Sequence, residues 1–579
     1  MAEVVVGIDF GSSGSGYAYA FNDNKETIIH GVIAGANVDN KVPTEIILDD
    51  NNNTIRFGVE CVEYLKKKGL KAGHYFKEIK MNLYEKKAEI QAKNSEKILP
   101  LTLVIQRVLE KLKDLAIEQI KVNRPTIHNI KYVVTVPAIW EEFQKNIMMK
   151  ACINAGLIKE EDDKSLFFAL EPEAASYYCL KDTSIDQALM KEGDYYIVCD
   201  LGGGTGDIVT HLIGVNKSLN EICPPNGGKF GSNEINKLFF EDIIFKIFDC
   251  RDYNTFYNKY IKLNEKVEEE GILFSDWHEL ERQVMDFKEG TNLEKINENE
   301  YYPINFGLFK DIFNNNTDIN ILVDKYNKNC DNDELKIKIK SKKRWVIEFP
   351  HKIIYNYIKE QVNSISKIID NILNFDKGIK SLILIGGYCS NKVLISEIKN
   401  QLSNKISYFL KPSNPCLSIM EGAVLFGFNP NKIIQRKAKY TIGLNSIDPI
   451  DLSQEDVYSK NGKIFYNEEK KAWYCKDCFL TFIKINENIE LGQEITKTLY
   501  LPSPRYGKII LYKTLKINPI FVYEDNIEEI GGFDFDAGKD YPIEERECTV
   551  TLRIGGTFFD VKAKHLKSDK AIKAKLDFY

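Results

Sequence analysis

The sequence predicts an α/β protein: two similar mixed-sheet lobes flank a cleft, and a β-rich domain follows. Three observations carry this prediction. Residues 4–21, VVVGIDFGSSGSGYAYAF, and residues 195–213, YYIVCDLGGGTGDIVTHLI, share one layout. Each is a β-branched and aromatic run, then Asp, one apolar residue, Gly, a small-residue tract with hydroxyls, and a second alternating run. A third glycine-bearing strand pattern follows in SLILIGGYCSNKVLISEIK (381–399). From about 440 to 579 the pattern is mostly β, as in KIILYKTLKI (508–517), CTVTLRIGGTFFDVKAKHL (548–566) and AIKAKLDFY (571–579). At 579 residues the chain exceeds one simple core, so two or more domains are expected.

Before each Asp the run reads as a buried strand: Val4, Val5, Val6 and Ile8, then Tyr196, Ile197, Val198 and Cys199. Glycines after the Asp allow positive φ and let backbone N–H groups approach an anion closely. Ser12, Ser13, Ser15 and Thr205 add hydroxyl donors. A carboxylate beside phosphates is repulsive unless a hydrated Mg²⁺ stands between them. In Rossmann and P-loop turns the glycines open a helix; here Tyr17 to Phe21 and Ile208 to Ile213 read as strands. No GxxxxGK[ST] string and no HRD…DFG set occurs. Either stretch alone could be an ordinary Gly-rich hairpin; the duplication argues for a nucleotide held between two lobes.

On these motifs the chain resembles the actin-like ATPase superfamily, and within it the heat shock 70 kDa family, closest to its divergent heat shock 70 kDa protein 12 branch. Residues 4–21 look like the phosphate-1 segment, 195–213 like phosphate-2 and 381–399 like the adenosine motif. VVTVPAIWEEFQKNIMMKACINAGL (133–157) and ALEPEAASYYCL (169–180) resemble the stretches that join the lobes. MEGAVLFGF (420–428) resembles the closing helix of the second lobe. The resemblance covers about residues 1–430. It implies an actin-like ATPase fold, with lobe I over 1–180, lobe II over 181–432 and a β-rich substrate-binding-like domain over 440–579.

The resemblance also implies a site. Asp9 and Asp200 match the carboxylates that hold magnesium through its water shell. Gly11, Ser12, Ser13 and Gly14 match the γ-phosphate turn, with serines for threonines and Gly14 for an aromatic residue. Gly202, Gly203, Gly204 and Thr205 would cradle the β- and γ-phosphates, Thr205 also contacting the attacking water. Glu171 matches a carboxylate near metal and water; an acid at a helix start would look the same. Lys80, or else Lys77, matches a first-lobe lysine that places the water; a surface lysine would read alike. Gly386, Gly387 and Tyr388 would face adenosine, and Gly228 and Gly231 would form a turn that reaches the nucleotide. Ser232 and Asn233 read instead as helix caps. Lys288, placed by its distance from Trp277, matches a basic adenosine contact, with Met285 and Glu289 where the family has an acid and an arginine; a solvated helix lysine is the ordinary alternative.

Elsewhere, 98–120 and 350–374 read as helices, 121–136 returns through a strand to Pro137, and 181–194 is a loop. The stretch 289–344 reads as loops with a short hairpin, and Lys336, Lys338 and Lys340 as guards of a strand edge rather than a contact strip. Gly555 and Gly556 read as a hairpin turn. Cys475 and Cys478 have metal-ligand spacing, but no second pair occurs, so two ordinary thiols are expected. The seven histidines form no cluster. A net charge of −6 argues against nonspecific nucleic-acid binding. No signal segment or membrane-spanning run is read, and twelve scattered cysteines fit reduced thiols in the cytoplasm. The family's helical lid and its acidic, leucine-rich linker around 430–445 are not visible, so a conventional lid cycle is not expected.

The function expected is therefore a Mg²⁺-dependent, slowly ATP-hydrolysing, chaperone-like protein that cycles between ATP and ADP, with a client or partner protein at the β-rich domain. The competitors are a nucleotide-binding scaffold with little turnover and, with no candidate catalytic Asp base, a small-molecule kinase on the same fold.

Overall fold

The computed structural model describes residues 3–575 apart from 36–39, 161–163, 253–254, 256–271, 308–317, 376–377, 451–462, 469, 491, 502, 543–544 and 556–557. The duplication seen in the sequence is a duplication of sheet topology. In the first lobe the strands lie in the order Leu166–Leu170, Ile130–Val136, Val4–Phe10, Gly14–Phe21 and Asn24–His30. In the second they lie in the order Tyr408–Leu410, Ser381–Ile385, Tyr195–Leu201, Gly206–Ile213 and Leu219–Gly228. Each Asp-bearing strand pairs parallel with a later strand on one side and antiparallel with its own hairpin partner on the other. Flanked on both edges and covered on both faces, these strands need continuous apolar sequence, which VVVGI and YYIVC supply. Asp9 and Asp200 stand at the carboxyl ends of their strands, where open α/β sheets receive ligands.

The helices expected at 98–120 and 350–374 are found at Leu101–Asn123 and Lys352–Phe375. Helices Glu171–Cys179 and Ser418–Phe428 cross so closely that a Cβ on Gly422 would overlap the Ala174 carbonyl. The second of these corrects the sequence reading. It closes the first lobe, not the second: Met420, Ala423 and Val424 share a core with Val5 and Val133. Gly7 and Gly427 allow the approach, since a Cβ on Gly7 would lie 2.9 Å from the Met420 carbonyl oxygen.

The stretch 289–344 is more structured than loops with a hairpin. Helices Leu293–Asn297 and Ile319–Lys328 accompany a three-stranded sheet of Tyr301–Asn305, Val346–Pro350 and Lys338–Ser341. Its apolar residues are few, but Ile304, Ile347 and Phe349 are fully buried. The Asn run at 314–316 lies outside the described residues. Lys340 pairs with Glu348 at 3.0 Å and Lys338 lies over the Tyr301 ring.

The β-rich region holds a five-stranded sheet and a four-stranded sheet that share one core, including Leu444, Leu511 and Phe535 from the first and Val550, Leu552 and Val561 from the second. Strands Glu547–Gly555 and Phe558–His565 pair antiparallel; Gly556 lies outside the described residues. Cys475 and Cys478 are buried beside Phe521. The segment around 430–445 is not a bare linker. Ile433–Lys437 adds to the second-lobe sheet beside Leu219–Gly228, and Asn488–Glu490 of the β-rich region pairs with it in turn.

Candidate nucleotide cleft

The two Asp–Gly hairpins face each other across the lobes. In the first, Gly11 is required because a Cβ would overlap the Gly14 carbonyl. In the second, Gly202 N–H donates to the Thr205 carbonyl at 3.0 Å and closes the turn. A Cβ on Gly203 would overlap the Ser13 hydroxyl, and one on Gly204 would overlap the Ser12 hydroxyl and Met81 Sδ. Ser12, Ser13, Gly203 and Gly204 are therefore brought together. Gly231 presses on the second turn, and the N–H groups of Ser232 and Asn233 donate to the carbonyls of Gly202 and Gly203 at 3.1 and 2.7 Å. Ser232 and Asn233 are thus not side-chain caps: the helix Ser232–Phe239 begins after Gly231 with no side-chain cap. The Asn233 amide instead donates to Ser13 Oγ at 3.0 Å, from one lobe to the other. Gly228 pairs with Gly206 at the base of the hairpin.

Charge is concentrated beneath these turns. Asp9, Glu171, Asp200 and Asp207 are all buried, with Lys80 buried among them. Lys80 Nζ donates to Glu171 Oε1 in a very short ion pair, so the structure joins two residues expected to act together. Lys77 points elsewhere, to both oxygens of Glu281 at 2.7 and 2.8 Å. Burial pushes Glu171 up to about 7, against the pull of Lys80, with Asp9 and Asp207 pushing the same way as burial. Burial likewise raises Asp207 to about 6, restrained by the Ile139 N–H that donates to its Oδ1 at 3.0 Å. Asp200 is pushed well above the carboxylate range by burial and then by Glu171, Asp207 and Asp9.

Asp9 is differently placed. Lys41 Nζ lies 2.6 Å from its Oδ2, and Thr135 donates to its Oδ1 at 3.2 Å. Lys41, Thr135 and Asp207 escaped the sequence reading. Asp207 had a signal, since a tight hairpin sets it directly across from Asp200. Lys41 and Thr135 had none, because only the sheet brings them to Asp9.

Four carboxylates against two ammonium groups leave the site short of positive charge. Asp200 Oδ1 is buried without a hydrogen-bond partner. Among the described residues no cluster of three or more acidic, His or Cys ligands could hold a bare metal ion. A hydrated cation facing Asp200 fits this donor set; a directly caged one does not.

Beyond the turns a cavity of about 510 Å³ is lined by Lys288, Gly387, Tyr388, Ser232, Asn391 and Lys295, among others. That size suits a nucleoside. Gly386, at φ 86°, turns the strand Ser381–Ile385 toward it; a Cβ there would lie 2.5 Å from Asp200 Oδ1. The Tyr388 hydroxyl donates to Gln361 at 3.1 Å, which fixes the ring at the cavity wall. Lys288 is not a solvated helix lysine. It is 5% exposed, donates to the Ser232 carbonyl at 3.2 Å, and is lowered by burial to about 8. Glu289 lines the cavity, whereas Met285 is 43% exposed.

Two routes run from the cleft to the β-rich region. Ile139 N–H holds Asp207, while its carbonyl accepts from Lys439 at 3.4 Å. Glu141, two residues on, accepts from Lys513 at 2.7 Å and from the Tyr440 hydroxyl at 3.2 Å. Separately, Arg436 grips the buried Glu173, two residues from Glu171, with bonds of 2.8 and 2.7 Å.

Comparison with known proteins agrees with this architecture. The chain is 24% identical to human heat shock 70 kDa protein 12B, an alignment that covers 99% of this chain and 91% of that protein. Mouse and human heat shock 70 kDa protein 12A match at the same identity and coverage. No protein-family model matches the chain. The resemblance to the divergent heat shock 70 kDa protein 12 branch thus extends over nearly the whole sequence. The fold is the two-lobed actin-like ATPase fold with an added β-rich C-terminal region.

Proposed function

We propose that this relative of the heat shock 70 kDa proteins binds ATP with Mg²⁺ between its two Asp–Gly hairpins, hydrolyses it slowly, and uses the cycle to control a client or partner protein at its β-rich region. One observation carries the reading: the hairpins, the Lys80–Glu171 pair and the nucleoside-sized cavity converge on one cleft. The backbone N–H groups of residues 202–205 are suited to the β- and γ-phosphates. When bound, hydrated Mg²⁺ would supply charge neutralisation between the phosphates and the Asp9 and Asp200 side. Phosphoryl transfer has a loose transition state, so positioning and electrostatics do most of the work. Lys80, aimed by Glu171, offsets charge on the transferred phosphoryl group. Glu171, poised near neutrality, accepts a proton from the attacking water, and Thr205 orients that water. Closure of the cleft reaches the β-rich region through Ile139 and Glu141 and through Glu173 and Arg436. Buried free thiols such as Cys152 and Cys199 support a reducing, cytoplasmic setting.

ATP titrations with and without Mg²⁺ test the reading. The affinity gained from Mg²⁺ is expected to vanish in Asp9→Asn/Asp200→Asn, and phosphate release to vanish in Lys80→Met while ATP still binds. An unchanged Mg²⁺ response in the double variant would overturn it. Tight ATP binding by the wild type with no phosphate release, even with client protein, would instead identify a nucleotide-binding scaffold.

A further inference from the structure

Lys41 belongs to no motif, yet the segment that follows it is fixed to the first hairpin. Val42 and Pro43 pair with Ser15 and Gly14 of the first hairpin. Thr44 donates through Oγ1 to the Gly11 carbonyl at 2.7 Å and shares a 2.8 Å hydroxyl contact with Ser15. Gly16 leaves room for the segment, since a Cβ there would lie 2.8 Å from the Asn40 carbonyl oxygen and 3.2 Å from Lys41 Cγ. The ammonium is thereby delivered to Asp9 at 2.6 Å. Burial opposes its charge, but attraction to and hydrogen bonding with Asp9 outweigh it and raise its pKa.

A lysine serving only to neutralise Asp9 would be sealed in with it. Lys41 is not sealed in: its side chain keeps 16% of its surface exposed while that of Asp9 keeps 3%. A flexible stem with a compact point charge, anchored beside a phosphate turn, is suited to exchange one oxyanion for another.

We propose that Lys41 is a phosphate-binding residue of the cleft: a nucleoside di- or triphosphate entering between the hairpins draws its ammonium from Asp9 onto a phosphate oxygen, giving nucleotide binding a component that needs no divalent metal. This rests on the ATP-binding reading above. No bond is made or broken; one ion pair replaces another. The Lys41 contact and hydrated Mg²⁺ are then two cationic supports for the same phosphates, and Asp9 is released to face the second.

The test is calorimetric titration of the full chain with ATP, ADP and adenosine, in Mg²⁺ buffer and in EDTA. The wild type is expected to bind ATP measurably in EDTA. Lys41→Met should lose about ten- to a hundredfold of that affinity, the range of a charge-assisted hydrogen bond, and bind adenosine as before. Lys41→Arg should restore most of the loss. Asp9→Asn, which frees the ammonium, should bind ATP in EDTA at least as tightly as the wild type. This variant keeps the test decisive if Lys41→Met fails to fold. Equal EDTA affinities for wild type and Lys41→Met, weaker EDTA binding by Asp9→Asn, or wild-type binding seen only with Mg²⁺ would each overturn the proposal while ATP binding itself stands. Absence of ATP binding in both buffers would remove the parent reading with it.

Discussion

The two Asp–Gly hairpins share strand register, turn and place in their sheets, yet their carboxylates live in opposite surroundings. Asp9 is satisfied on both oxygens, by Lys41 and Thr135. Asp200 has an unpartnered oxygen, faces Asp207 across the ladder, and is pushed toward protonation. Duplicated backbone therefore does not duplicate electrostatics. The turn fixes where N–H donors point, while distant segments decide how each carboxylate is paired. One hairpin's carboxylate has a lysine ammonium at 2.6 Å, and the other's keeps a buried oxygen with no hydrogen-bond partner.

The sharpest way to break this contrast is to neutralise each Asp separately. Asp9→Asn leaves the Lys41 ammonium without its carboxylate and is expected to cost about 3 kcal/mol of stability. Asp200→Asn removes a poorly satisfied buried carboxylate and is expected to be neutral, or stabilising by up to about 1 kcal/mol, at pH 8. Urea unfolding of both variants checks this, and equal losses would erase the distinction.

Backbone strain offers a second contrast. Gly386→Ala puts a Cβ against Asp200 at a left-handed φ and should cost roughly 2 kcal/mol. Gly14→Ala in the first hairpin has its nearest contact at 3.2 Å, to the Val42 carbonyl oxygen, and should cost less than about 1 kcal/mol. Thermal melts of the two variants rank them.

The pH response should come from buried carboxyls of both lobes: Glu171 at a helix start, Asp200 in the second hairpin and Glu221 on the strand beside it. Glu171 at about 7 and Glu221 at about 8, together with the raised Asp200, hold protons in the folded state that the unfolded chain releases near pH 4. The native state thus binds more protons, so stability falls as pH rises from about 6.5 to 8. Below pH 6.5 the buried His211, lowered to about 3, acts in the opposite sense; above pH 8 so does Lys288, lowered to about 8. Urea midpoints of the nucleotide-free protein should decline across that window, and Asp200→Asn should flatten the decline. A midpoint that rose with pH would contradict the assignment.

The smallest effect lies at the cleft mouth, where Lys77 and Glu281 join the lobes and Trp277 supports Glu281 through a 2.9 Å bond. Glu281→Gln should speed nucleotide release by only a few-fold, since the pair is partly exposed. Stopped-flow release of a fluorescent ATP analogue measures it. A much larger change would shift control of retention from the hairpins to the mouth.

Much of this was legible in the sequence, because duplicated apolar runs with Asp and Gly at fixed offsets leave a strong local pattern. Both hairpins, the strand Ser381–Ile385 and the long helices lie where the sequence pattern predicts them. The charges did not. Lys41 and Thr135 sit 32 and 126 residues from Asp9 in sequence and meet it only through sheet pairing. The helix Ser418–Phe428 follows the second lobe in the chain yet packs on the first-lobe sheet, because chain order says little about which sheet a late helix covers. Ser232 and Asn233 carry cap chemistry, yet their N–H groups are taken by the neighbouring turn. The strand Ile433–Lys437 lacks a leucine-rich signature because its place is fixed by edge pairing and by Arg436.

The central claim is that both hairpins hold one nucleotide together. Hydrogen exchange of the backbone N–H groups at residues 11–15 and 202–206, with and without saturating ATP, tests it most directly. Simultaneous slowing in both segments at one ATP concentration is predicted. Protection of one segment alone, or of neither while ATP is bound elsewhere, would contradict it.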